Sequence, residues 1–270
     1  MAIQWSLVIF TFLTGAAGWM FTCITFDALA GKNESKALPS TLVALILMIA
    51  GGIAAVFHLA HPENILAALN HPGSSIFTEA VLVGLAAICM AIFAILSKGT
   101  NESALHVFGI IGSLLGIILS FSAGNSYVIG AIAPWNNGWL PLGYLFTVMP
   151  VGAALYILLL GKDESGYAYT TPSFIIVLGG ILGAIVTVFY GLTAGAFESA
   201  GLPLIVSLVG SVAAAACGIM MRKKPENTLG LAAAALLCAC VGAIGFRAAM
   251  WVAYKLTAIG APFFMDLSSL

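Results

Sequence analysis

Apolar residues run along this chain in long stretches broken by short polar loops. A helix that crosses about 30 Å of hydrocarbon needs roughly 20 residues, and eight stretches approach or exceed that length. They are Trp5 to Leu29, Thr41 to Leu59, Ile76 to Leu96, Ala104 to about Tyr127, Leu142 to Leu160, Ser173 to about Ala194, Leu204 to Met221, and Leu229 to about Leu256. Pro150 is expected to kink the fifth. The pattern predicts an all-α, polytopic integral membrane protein of eight transmembrane helices, forming a single membrane domain over 1–270. The opening MAIQWSLVIF has no basic leader and no short apolar core with a cleavage site, so it reads as a retained first membrane helix.

The charge pattern orients these spans. The loops after helices 1, 3, 5 and 7 carry Lys32 and Lys36, Lys98, Lys162, and Arg222, Lys223 and Lys224. The loops after helices 2, 4 and 6 carry no lysine or arginine. The positive-inside rule then puts the basic loops in the cytoplasm, and both termini and the other loops on the outer side. For a bacterial protein this means the cytoplasmic (inner) membrane. The orientation allows two parallel four-helix halves, about 1–128 and 140–260, although no sequence match links them.

Composition supports lipid as the solvent. The chain is 61% hydrophobic and only 7% charged, where a soluble domain is about a quarter charged. A net charge of −1 supplies no basic field for nucleic acid. All five cysteines (Cys23, Cys89, Cys217, Cys238 and Cys240) lie in apolar runs without a C-x-x-C pair, which reads as buried small hydrophobes rather than an iron–sulfur or zinc site. Small residues recur at helix-packing spacing in Gly112/Gly116, Gly179/Gly183 and Gly191/Gly195. Trp5, Trp135, Trp139 and Trp251 fall near outer boundaries, where an aromatic belt accounts for most of them.

In so apolar a sequence, ionisable residues within or beside the spans are the first candidates for chemistry. They are Asp27, His58, Glu79, Arg247 and Lys255. Asp27 reads as solvated at the inner end of helix 1, and Lys255 as snorkelling. His58 ends helix 2 and Glu79 begins helix 3, both at the outer boundary, with a His/Pro-rich connection holding His61 and His71 between them. A near-neutral histidine and a carboxylate facing one pocket suit the removal of protons from a quinol. The same two residues also suit plain helix capping, and spacing alone does not separate these readings. Arg247 falls in the outer half of helix 8 at a depth near Glu79, placed either to pair with it or to bond a quinone carbonyl. A b-type haem is not expected, because His58 and His106 start from opposite faces; electrons from a quinol would then pass directly to a centre on another protein.

Four stretches in order resemble one family. They are WSLVIFTFL at 5–13, GGIAAVFHLAHPENILAALNHPGSSIFTE at 51–79, Tyr127 with APWNNGWLPLGYLFT at 133–147, and IGFRAAMWVAYKLTAIG at 244–260. They are similar to the membrane-anchor subunits of the dimethyl sulfoxide reductase family, within the complex iron–sulfur molybdoenzymes. The resemblance implies an anchor for a molybdopterin catalytic subunit and a four-cluster ferredoxin-like iron–sulfur subunit on the outer face. It further implies menaquinol oxidation, with no haem and no iron–sulfur cluster in this chain. The family's quinol-site histidine and glutamate fall on His58 and Glu79, and Arg247, Tyr127, Ser75 and Trp135 complete the expected pocket. Three positions depart from the family pattern. Thr14-Gly15 replaces a helix 1 glutamine, Asn64 replaces an arginine, and Met250-Trp251 replaces a closing Phe-Tyr. The rival readings are a quinone-interacting subunit of the polysulfide or nitrite reductase type, a passive anchor, and a secondary transporter.

Overall fold

The computed structural model describes residues 3–32, 34–57, 70–161 and 169–260, with the backbone alone for 34 and 255–260. All regular elements among them are helical. Eight long helices, each apolar enough to span a membrane, follow in order: α1 (Trp5–Leu29), α2 (Glu34–Val56), α3 (Ser75–Leu96), α4 (Glu102–Asn125), α5 (Trp139–Leu160), α6 (Thr170–Thr193), α7 (Ala196–Lys223) and α8 (Thr228–Gly260). A single 3-10 turn, Pro225–Asn227, joins α7 to α8.

Two boundaries differ most from those expected. α2 begins at Glu34 rather than Thr41 and takes Pro39 into its second turn, so most of the polar loop after α1 is helical. α7 begins at Ala196 rather than Leu204. It is bent at Ala200 (φ −138°), and Pro203 falls in the first turn of the longer segment that follows. A proline there removes no helical hydrogen bond, because the first N–H groups of a helix have no partner within it.

Neighbour relations explain which helices are buried all round. α1 packs on α2, α2 on α3, α3 on α4, and α4 returns to α1. The same order recurs as α5 on α6, α6 on α7, α7 on α8, and α8 on α5. The two rings meet where α5 packs against α1 and α4. α1 and α5 are therefore central, and their apolar residues point in every direction. Small residues set the spacing. A Cβ on Gly18 of α1 would stand 2.9 Å from the Gly116 backbone of α4, and one on Gly152 of α5 would stand 2.5 Å from the Ala16 carbonyl of α1. Helices in lipid gain most from such close approach.

The three expected glycine pairs do not all serve packing. Gly112, Gly116, Gly179 and Gly183 face neighbouring helices. Gly195 instead precedes α7 in the left-handed region (φ 60°) with open space around it. Its role is to let the backbone turn between α6 and α7.

Candidate functional site at the basic-free end

Helix alternation places the starts of α1, α3, α5 and α7 at one end of the bundle, called here the upper end. The loops there carry none of the seven loop lysines and arginines. The cluster around Arg247 lies at this end, about one to four turns in from the helix termini.

Arg247 of α8 is at their centre and has no solvent exposure. Its Nε donates to Thr11 Oγ1 (3.0 Å), and one terminal nitrogen donates to Thr147 Oγ1 (3.3 Å) and the Ala243 carbonyl (3.2 Å). The other donates to the carbonyls of Thr11 (3.2 Å) and Tyr144 (3.3 Å). These five bonds equal the number of N–H groups on a guanidinium. The Arg247 cation also lies 4.5 Å from the centroid of the Tyr144 ring, an attractive cation–π placement. An ion pair between Arg247 and Glu79 was one expectation. The structure does not form it, because α1 and α5 supply neutral oxygens to its N–H groups, with α8 adding the Ala243 carbonyl.

Glu79 is partly buried one turn into α3, near Ser126, whose hydroxyl donates to the Ala123 carbonyl at 2.9 Å. Its charge acts on both Tyr127 and Tyr144, and so does that of Arg247. Tyr127, in the loop after α4, thus feels both the acid and the cation. Burial, with smaller contributions from Tyr144 and Glu79, pushes its phenol well above the usual tyrosine range. Tyr127 therefore stays a protonated donor.

Aromatic rings enclose the group. Tyr127 packs against Trp135 (5.6 Å between centroids), Tyr144 (5.7 Å) and Trp251 (5.8 Å). Trp135 also meets Trp251 edge-on at 5.1 Å and lies 5.0 Å from Tyr254. Trp135 and Trp251 are 5% and 3% exposed. They are interior residues rather than part of a lipid-facing belt, because α8 and the loop before α5 close over them. Trp5, 53% exposed, does suit a belt position, and Trp139 stacks on Phe189 at 4.8 Å.

The remaining sequence candidates divide. His58 and His61 lie outside the described residues, as does the Lys255 side chain. His71 is exposed in the loop before α3. Ser75 is exposed as the first residue of α3, while its neighbour Ser74 caps the helix by accepting the Phe77 N–H at 3.2 Å. Trp135 donates its indole N–H to the Met250 carbonyl at 2.9 Å, tying the loop before α5 to α8.

Asp27 overturns its expected solvation. It is 3% exposed and accepts a 2.7 Å hydrogen bond from the Tyr156 hydroxyl, joining α1 to α5 at the lower end. The cause is packing, since α5 covers the last turn of α1. His106 also lies at the lower end, with Nε2 3.3 Å from the Ala28 carbonyl.

Thr11, Tyr144 and Thr147 escaped the sequence reading. Tyr144 and Thr147 sit at i and i+3, on one face of a nearly apolar span. That spacing is the signal that marks α5 as facing a polar partner.

A family model described as "DMSO reductase anchor subunit (DmsC)" matches residues 1–202. The match stops before α8. Over 193 residues the protein is 30% identical to the C subunit of the anaerobic dimethyl sulfoxide reductase of Haemophilus influenzae, covering 68% of this sequence and 69% of that one. Over 204 residues it is 27% identical to the anaerobic dimethyl sulfoxide reductase subunit YnfH of Escherichia coli, covering 73% and 71%. With its eight apolar helices, the chain belongs to the family of DMSO reductase membrane-anchor subunits.

Proposed function

We propose that this protein is the quinol-oxidising anchor of a membrane-bound molybdoenzyme complex. Menaquinol binds at the upper end, which faces outward, and the electrons pass to a partner iron–sulfur subunit and on to a molybdopterin catalytic subunit. One observation carries this reading: Glu79 with Ser126, Tyr127, Tyr144 and a fully buried Arg247 share the end whose loops carry no lysine or arginine. The positive-inside rule makes that end the outer one.

A bound quinol supplies two electrons and two protons as it becomes the quinone. His58 takes one hydroxyl proton, as the family resemblance implies, and Glu79 accepts the other and releases it toward the outer water. Arg247 acts through its field rather than by direct bonding, since its N–H groups are engaged. A buried cation favours the anionic oxygen that develops as each proton leaves. Tyr127, which feels the charges of both Glu79 and Arg247, orients the head group.

The test uses the intact complex with its partner subunits. Oxidation of a soluble quinol analogue is measured beside turnover driven by an artificial dye that bypasses this subunit. Substituting His58 or Glu79 is expected to abolish the first and spare the second. Unchanged quinol oxidation in both variants, with the complex still assembled, would reduce the protein to a passive anchor.

A further inference from the structure

The polar tips of the aromatic cluster differ in how they are satisfied. The Trp135 N–H is committed to the Met250 carbonyl. The Tyr144 hydroxyl is directed at the Met250 sulfur at 3.4 Å, and a thioether is a weak acceptor. Trp251 Nε1 is buried and has no hydrogen-bond partner among the described residues. A buried N–H without an acceptor is rare in folded proteins and calls for a specific explanation.

The surroundings of Trp251 narrow that explanation. Its ring touches Tyr127 and Trp135, and Tyr127 is the residue whose phenol feels both Glu79 and Arg247. The neighbourhood thus offers the Trp251 N–H and the Tyr127 phenol as donors, beside the Glu79 carboxyl. A ligand that completes it brings acceptor oxygens on a flat apolar ring, which is the chemistry of a naphthoquinone. A tryptophan suits such a ring, since it offers an aromatic face and one N–H.

We infer that the Trp251 indole N–H donates a hydrogen bond to a head-group oxygen of the bound quinone, making Trp251 a binding residue of this site. The inference rests on the proposed quinol site and deepens it. The bond holds both redox forms, because a quinol oxygen and a quinone carbonyl each accept. It favours the quinone, which is acceptor-only and matches these donors.

The experiment measures binding of two ligands to the full detergent-purified complex. One is dimethylnaphthoquinone; the other is dimethylnaphthalene, which has the same rings and methyl groups without the oxygens. Trp251→Phe is expected to weaken quinone binding roughly five- to tenfold while leaving hydrocarbon binding and dye-linked turnover unchanged. If Trp251→Phe does not assemble, the benzothiophene analogue of tryptophan at 251 exchanges only N–H for sulfur, with the same expected result. Equal quinone affinity before and after the change would overturn the inference. An equal loss for both ligands would overturn it too, leaving Trp251 a packing residue. If Glu79→Gln abolishes quinol oxidation while Trp251→Phe changes nothing, the Trp251 assignment falls and the quinol site stands. A wild-type complex that binds no quinone defeats both.

Discussion

The Nε of Arg247 donates to the Thr11 hydroxyl at 3.0 Å, joining the last helix of the protein to the first. Thr11 holds its place without the arginine, because its own hydroxyl also reaches the carbonyls of Leu7 (3.0 Å) and Val8 (3.3 Å). Thr147 likewise donates to the Gly143 carbonyl at 2.6 Å. Arg247 therefore adds a charge to a scaffold whose hydroxyls are already satisfied.

Arg247→Met separates charge from packing. Methionine occupies much of the same volume, and replacing a buried ion by an apolar group is often close to neutral for stability. The thermal midpoint of the complex is expected to move by no more than about 2 kcal/mol equivalent. Quinol oxidation is expected to fall at least about tenfold, with dye-linked turnover kept. Unfolding scans and paired activity assays check both outcomes.

Glu79→Gln keeps the shape of the side chain beside Ser126 but cannot accept a proton. Loss of a positioned base lowers a rate by roughly 10²–10⁴-fold. Quinol oxidation in the intact complex should fall within that range, while quinone binding stays within about threefold of wild type. A comparable fall in binding would mark Glu79 as a ligand contact rather than a proton acceptor.

Gly116→Ala tests the closest approach of α1 and α4. The new Cβ would stand 2.6 Å from the Gly18 Cα, against backbone that cannot rotate away. Overpacking of this kind costs about 1–3 kcal/mol. A lower midpoint and a lower yield of assembled complex are expected. Gly130→Ala, in open space, is the control that should change neither.

Asp27→Asn probes the lower end. It weakens the bond from Tyr156, the contact that ties α1 to α5 there, at a cost of about 1–3 kcal/mol. Affinity for quinol should not change, because Asp27 and Arg247 lie at opposite ends of the bundle. A stability scan with a KM measurement separates these effects.

Much of the architecture is a direct consequence of hydropathy. Eight runs of adequate length each become a helix, because a backbone in lipid has to satisfy its own hydrogen bonds. The sorting of lysine and arginine into alternate loops shows equally plainly. Arg247 and Glu79 also stand out, since a charged residue in an apolar run is costly enough to need a reason. The structure decided what periodicity does not encode. It chose the helix neighbours, and so made α1 and α5 central. It buried Asp27 under α5, gave Arg247 the oxygens of Thr11, Tyr144 and Thr147 in place of a carboxylate, and drew Trp135 and Trp251 inward. A threonine or tryptophan in an apolar span looks the same whether it faces lipid or a neighbouring helix. Only the packing of helices distant in sequence, set here by close contacts such as Gly18 on Gly116, determines which oxygen meets which N–H.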